Sequence, residues 1–553
     1  MPPYRGNDFS QIADEILEEY WKFSPSSATF AGIHKYDHEL DHFDKAAQKA
    51  FQNRLRYWLD ILGKFKKDGG LSSDNYLDAE MLICNLEKDI ISFDLFNRFD
   101  RDPSFYPGVA IFSCLIFTMR NFCPKEERYR LLALRLKEIP RFLKEAKNNL
   151  SAAESIPRIW LEMGREITLS GKQFFTHLMM HTSGEIPSLR NDILAAATLA
   201  SKGFEDYLKF LENELSAKPD GSFSSGKDYF DFIMKRHHLL PYDSQNLEEI
   251  GLEYIEKTIQ EMQSVAKSID PGKNWEEIIN EIKKDAPSAD LLLDHYRREI
   301  IKTKKFIIEK DLITLPENET LEVIETPMSE RPTLPYAAYM APAPFEDDQR
   351  GFFWVTPVDS DSPERAAEQL AGHSKAAIEV RALHEGYPGH HLQLCIANRL
   401  KSRVRRVFGT TVFIEGWALY CEELMKQFGY YSGKRTELIQ LKDQLWRACR
   451  VLIDARLHTG KLDFKSAVDL LIKTAKIERH NAEAEVRRYS QTPSQPMSYL
   501  IGKIEIMRLA GEYRKRYPNL PLKDFHNRLL SYGSIPISLL STTILGTNQR
   551  ALC

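Results

Sequence analysis

Apolar residues recur at helical spacing along most of the chain. Leu247, Ile250, Tyr254, Ile255, Ile259, Met262, Val265, Ala266 and Ile269 fall on one face of a 3.6-residue period. Asn246 and Glu249 suggest the start of that helix, and Asp270-Pro271-Gly272 ends it. Phe51, Leu55, Trp58, Leu59 and Leu62 repeat the pattern nearer the start. Between such runs lie loops rich in Pro, Gly and Ser, as at residues 217–226. The pattern changes over residues 312–360. The stretches 315–327 and 331–335 lose the helical period, while 336–344 and 351–357 look like short extended pieces. These predict a small sheet with Phe352–Thr356, including Trp354, as an edge open to a substrate backbone. Ser362-Pro363-Glu364 then opens a further helix.

The expected class is mainly α, with residues 1–310 a helical portion walling one side of a deep cleft. Residues 311–553 would carry the sheet, the motif helices over about 374–425 and closing helices. The formal charge of -4 offers no electrostatic case for nucleic acid. No run of 18 apolar residues predicts a membrane span. The first residues lack the apolar core of a signal peptide, and seven scattered cysteines read as reduced thiols. Together these predict a cytoplasmic protein, a monomer or homodimer. Cys395 and Cys421 flank the motifs below and read as small buried residues.

The chemistry concentrates in Arg381-Ala-Leu-His384-Glu385-Gly-Tyr-Pro388-Gly389-His390-His391-Leu-Gln393, at the end of the apolar run Ala376, Ala377, Ile378, Val380 and Leu383. A helical His-Glu-x-x-His places two imidazoles on one face beside a general base. Here Pro388 stands where the second His would be, and it clashes with the carbonyl of His384 in a regular helix. The helix must kink or bulge, and Gly389 frees the backbone to do so. In a straight helix His390 lies about 240° round from His384, while His391 returns to that face about 10 Å along the axis. Spacing alone leaves both open. Read as a two-residue insertion that restores a His pair, Pro388-Gly389 favours His390 as ligand and His391 as a supporting or pocket residue.

Ile414-Glu415-Gly416-Trp417-Ala418 resembles the Asn-Glu-Gly-Phe-Ala motif that carries the third ligand in the aminopeptidase branch of thermolysin-type zinc peptidases. Glu422 falls two turns further along the same face, placed to orient a ligand. Two His and one Glu with an open fourth position is the composition of a catalytic zinc site. The chain as a whole resembles domain-of-unknown-function family 885, placed among the gluzincin metallopeptidases. That family's pattern is His-Glu-x-x-Pro-Gly-His-His followed by Glu-Gly-Trp-Ala-x-Tyr. Residues 25–37 are similar to its opening and Pro493-Ser-Gln495-Pro-Met-Ser-Tyr499-Leu-Ile-Gly502 to its closing signature. The resemblance implies a multi-helical gluzincin-type fold with a small sheet beside the metal helices. It implies a hydrolase of peptide bonds, with one zinc ion on His384, His390 and Glu415.

In that reading Glu385 accepts a proton from the attacking water and passes it to the leaving amine. Tyr499 is the candidate donor to the tetrahedral oxyanion, with Tyr489 a rival and His458 a helper. Arg450, Asp454 and His458 stand four apart on one helix face. Arg450 is a candidate for binding a substrate carboxylate. The family pattern there is Arg-x-x-x-Asp-Thr-Gly-x-His, and Ala455-Arg456 replaces Thr-Gly in this chain. The expected substrate is a short peptide. Rival readings are a hydrolase of another amide or ester, an iron oxygenase on the same ligands, and a helical binding protein without catalysis.

Overall fold

A computed structural model describes residues 9–546 except 69–70, 328–330, 332–333, 335 and 359–361. Pro332, Thr333 and Pro335 of the predicted non-helical stretch lie outside the described residues. The chain is mainly helical with one small sheet. No helix among the described residues is long and apolar enough to cross a membrane.

The chain forms two compact units, residues 1–225 with 343–348, and residues 226–342 with 349–553. The first is built on helices Lys125–Ser151, Arg158–Glu185 and Arg190–Asn213. Phe142, Leu143, Phe204 and Tyr207 fill their shared interior, together with Phe43 and Phe117. Arg135, fully buried, bonds Thr29 Oγ1 at 2.8 Å, Tyr36 O at 3.1 Å and Asp37 O at 3.1 Å. It thereby ties the 25–37 segment to the helix Lys125–Ser151.

The second unit begins near residue 226, not near 310 as the composition change suggested. The reason is the helix Ser244–Ile269, which packs along Lys434–His458. Gly251 allows the approach, since a Cβ there would lie 3.0 Å from the Leu452 backbone nitrogen. Asp243, rather than Asn246, caps this helix. Its carboxylate accepts from the Asn246 amide at 3.0 Å, and the Asn246 side chain accepts from the Asp243 amide in return.

The sheet has strands β1 (Thr320–Glu325), β2 (Ala337–Met340) and β3 (Arg350–Val355), in the order β1-β3-β2. β3 pairs parallel with β1 and antiparallel with β2. The predicted edge at Phe352–Thr356 is therefore corrected: β3 is central, and both its sides are already paired. Phe352 opposes Glu322 and Met340, while Trp354 opposes Ile324 and Ala338. The error lies in β1, an acidic segment whose strand character appears only when β3 is beside it.

Candidate metal centre

The first motif helix, Lys375–Glu385, does not merely kink at Pro388. It ends at Glu385, and a new helix, His390–Ala397, begins after the break. Four features shape the turn. The Gly389 amide donates to Leu383 O at 3.0 Å, and the Trp417 indole donates to Pro388 O at 2.9 Å. A Cβ on Gly389 would fall 1.8 Å from His384 O, so only glycine fits. The Tyr387–Pro388 bond is cis.

Across this break the rings of His384 and His390 meet nearly perpendicular, 4.9 Å between centres. Glu415, on the helix Thr411–Gln427, comes within 3.2 Å of His390 Nε2. One ligand-type atom each from His384, His390 and Glu415 lies within 4.8 Å of the others. That spacing and donor chemistry fit a single divalent ion bound by two imidazoles and a carboxylate. His390 Nδ1 is buried without a partner. Burial raises the Glu415 carboxyl, but the His390 hydrogen bond and the charges of His390, His384 and Arg450 outweigh it and bring it down to about 2. Burial lowers His390, and Glu415 more than offsets this, leaving its ring above its ordinary value.

Glu422, one of the most deeply buried carboxylates, bonds His384 Nδ1 at 2.8 Å. This fixes the ring with Nε2 left over for an ion, the orienting role expected of it. Glu385 is half-buried beside the triad, and among the described residues its carboxylate carries no hydrogen bond. His391 turns the other way. Its Nε2 meets Glu319 Oε2 at 2.6 Å and its Nδ1 meets the Tyr339 hydroxyl at 3.1 Å. Glu319 also receives Lys304 at 2.6 Å and the Tyr387 hydroxyl. Both His391 nitrogens are engaged, so the structure groups His390, not His391, with His384. Cys395 and Cys421 are buried; burial pushes the Cys395 thiol up to about 12.

Tyr499 arrives on the helix Gln495–Arg516, which crosses the Glu415 helix at two glycines. A Cβ on Gly416 would lie 2.4 Å from Gly502 Cα, and one on Gly502 would lie 1.9 Å from Val412 O. The Tyr499 ring lies nearly parallel to His384, 6.4 Å between centres. Gln495, whose role the motif did not announce, bonds both the Tyr499 hydroxyl at 3.3 Å and Glu415 Oε1 at 3.2 Å. Asp454 accepts the Ser494 and Met497 amides at 3.2 and 3.0 Å, anchoring the first turn of this helix. Burial raises its carboxyl to about 8.

The remaining expectations are redistributed. His458 is fully buried, with Nε2 on Tyr489 O at 3.0 Å and its ring parallel to Phe230. Burial lowers it to about 4. Its Nε2 is thus spent on a main-chain carbonyl. Tyr489 is also fully buried, its hydroxyl accepting from Arg450 Nε at 2.7 Å. Arg450 further bonds Glu485 at 3.0 Å and lies over the Tyr499 ring.

Two solved structures are similar over nearly their whole length. One, described as a putative lipoprotein of unknown function from Shewanella oneidensis, is 23% identical, with a TM-score of 0.80 over 97% of this chain and 99% of that one. The other, the putative lipoprotein from Colwellia psychrerythraea, is 17% identical, with a TM-score of 0.83 over 98% of this chain and 99% of that one. The expectation of a cytoplasmic protein is corrected by these descriptions: the shared fold and scattered thiols do not place the chain in the cytoplasm. No curated protein matches. The family comparison matches residues 25–544, nearly the full chain, and the protein belongs to DUF885, described as a bacterial protein of unknown function.

Proposed function

We propose that this protein is a zinc-dependent hydrolase of peptide bonds acting on short peptides, with a gluzincin-type arrangement of its motif helices. The observation that carries the proposal is the meeting of His384, His390 and Glu415, with Glu385 close enough to act on His390. Zinc held by those three side chains would supply Lewis acidity and activate water for attack.

The chain's own groups do the rest. Glu422 accepts a hydrogen bond from the His384 Nδ1–H, so Nε2 presents its lone pair. The Glu385 carboxylate takes a proton from the attacking water and returns it to the leaving nitrogen. Tyr499 donates its hydroxyl proton as a hydrogen bond to the carbonyl oxygen as negative charge develops there. Burial and the charge of Glu415 raise that hydroxyl above its ordinary value, so it stays protonated and able to donate. Gln495 holds the hydroxyl in place relative to Glu415.

Glu385→Gln tests the proposal. The variant should retain its metal and lose about 10²–10⁴-fold in turnover of a short-peptide mixture, the range for a general base. Full activity in this variant would refute the mechanism.

A further inference from the structure

Three guanidinium groups gather around Tyr499. Arg450 lies 4.7 Å from the Tyr499 ring centre and Arg447 lies 5.8 Å from it. Arg488 bonds Gln495 Oε1 at 2.7 Å, next to the same hydroxyl. Arg450 and Arg488 share one carboxylate, Glu485, at 3.0 and 2.9 Å. Among the described residues Arg447 bonds Asp443, at 3.2 Å to its carbonyl, with a 3.5 Å approach to its carboxylate. Its Nε is buried and without a partner. Arg447 thus keeps a buried guanidinium nitrogen unfilled on this wall, and its carboxylate contact is a long one. A buried guanidinium donor left unfilled is costly, and an anion would complete it. A planar guanidinium matches a carboxylate in two-point geometry.

We propose that Arg447, supported by Arg450, binds a carboxylate of the substrate beside Tyr499. This rests on the hydrolase reading given above and deepens it by naming a substrate class. Tyr499 is the spacer: its ring centre is 6.4 Å from that of His384. The two steps from His384 to Arg447 span no more than about three residues of extended chain at ~3.3–3.6 Å each. The carboxylate therefore belongs one to three residues beyond the bond cleaved. A free C-terminus of a short peptide supplies it, and so does an acidic side chain at that position. Trp446, which lies against both Arg447 and Arg450, gives the wall an apolar floor beside the anion site.

Binding tests this without relying on turnover. A short peptide is titrated calorimetrically into zinc-loaded Glu385→Gln protein as the free acid, as the C-terminal amide, and as an amide carrying Asp near that end. The free acid should bind at least about tenfold more tightly than the plain amide, ~1.4 kcal/mol. Adding Arg447→Gln should erase the preference while leaving the circular-dichroism spectrum and the amide's affinity unchanged. If the Asp-bearing amide matches the free acid, the carboxylate site stands and a side chain can fill it. Equal binding of acid and plain amide, a preference that survives Arg447→Gln, or no binding of any of the three would overturn the inference. Wild-type turnover of the same peptides, measured separately, reports on the hydrolase reading alone.

Discussion

His390 and His391 are neighbours in one turn of helix, yet they enter opposite surroundings. On the triad side, His390 meets His384 and Glu415 and leaves a ring nitrogen buried without a protein partner. On the sheet side, His391 has both nitrogens filled, by Glu319 and Tyr339. A ring with every nitrogen satisfied is a structural fixture, and a ring with unspent capacity is available to an ion. The difference arises from the break at Tyr387–Gly389, which rotates the second helix so that one imidazole faces each way.

The comparison can be broken most completely at Gly389. Alanine there would place a Cβ against the His384 carbonyl. The turn would open, costing about 3 kcal/mol or more by the scale of forced overpacking. Both metal content and melting temperature should fall. His390→Ala should act on one side alone. It should weaken zinc binding by more than the ~10–100-fold typical of outer residues, with little loss of fold, as read by metal titration and thermal melting. Glu422→Gln should fall within that ~10–100-fold range, because it loosens the His384 ring without removing a donor.

His391→Ala should sharpen the contrast by doing the reverse. Zinc stoichiometry should hold while stability drops by about 1–3 kcal/mol, since Glu319 loses one buried partner but keeps Lys304 and Tyr387. Burial lowers the His391 ring despite its bond to Glu319. The unfolded chain therefore takes up a proton in the ordinary histidine range that the folded ring does not. Wild-type stability should fall as pH drops below about 6.5, with a shallower slope in His391→Ala. Denaturant melts across that window measure the difference.

Much of the candidate centre was legible because its information is local. His384, Glu385, His390 and Glu415 sit in short motifs, and Pro388 announces the broken turn through one steric rule. What escaped depends on partners far along the chain. The helix at 244–269 shows its apolar face in the sequence, but not that Lys434–His458 covers that face. β3 reads as extended, yet its central position depends on β1, which alternation alone did not mark as a strand. Arg450, Asp454 and His458 share a helix face, but that spacing is silent on depth: Asp454 anchors a helix start and His458 is sealed inside. Arg447 carries only a faint signal, the excess of arginine in Trp446-Arg447-Ala448-Cys449-Arg450 and Arg487-Arg488.

The most direct measurement is anomalous diffraction at the zinc edge from crystals grown with zinc. The account predicts one strong peak about 2.0–2.2 Å from His384 Nε2, a nitrogen of His390 and a Glu415 oxygen, with His391 still bonded to Glu319. A peak on His391, or none within reach of all three side chains, would contradict it.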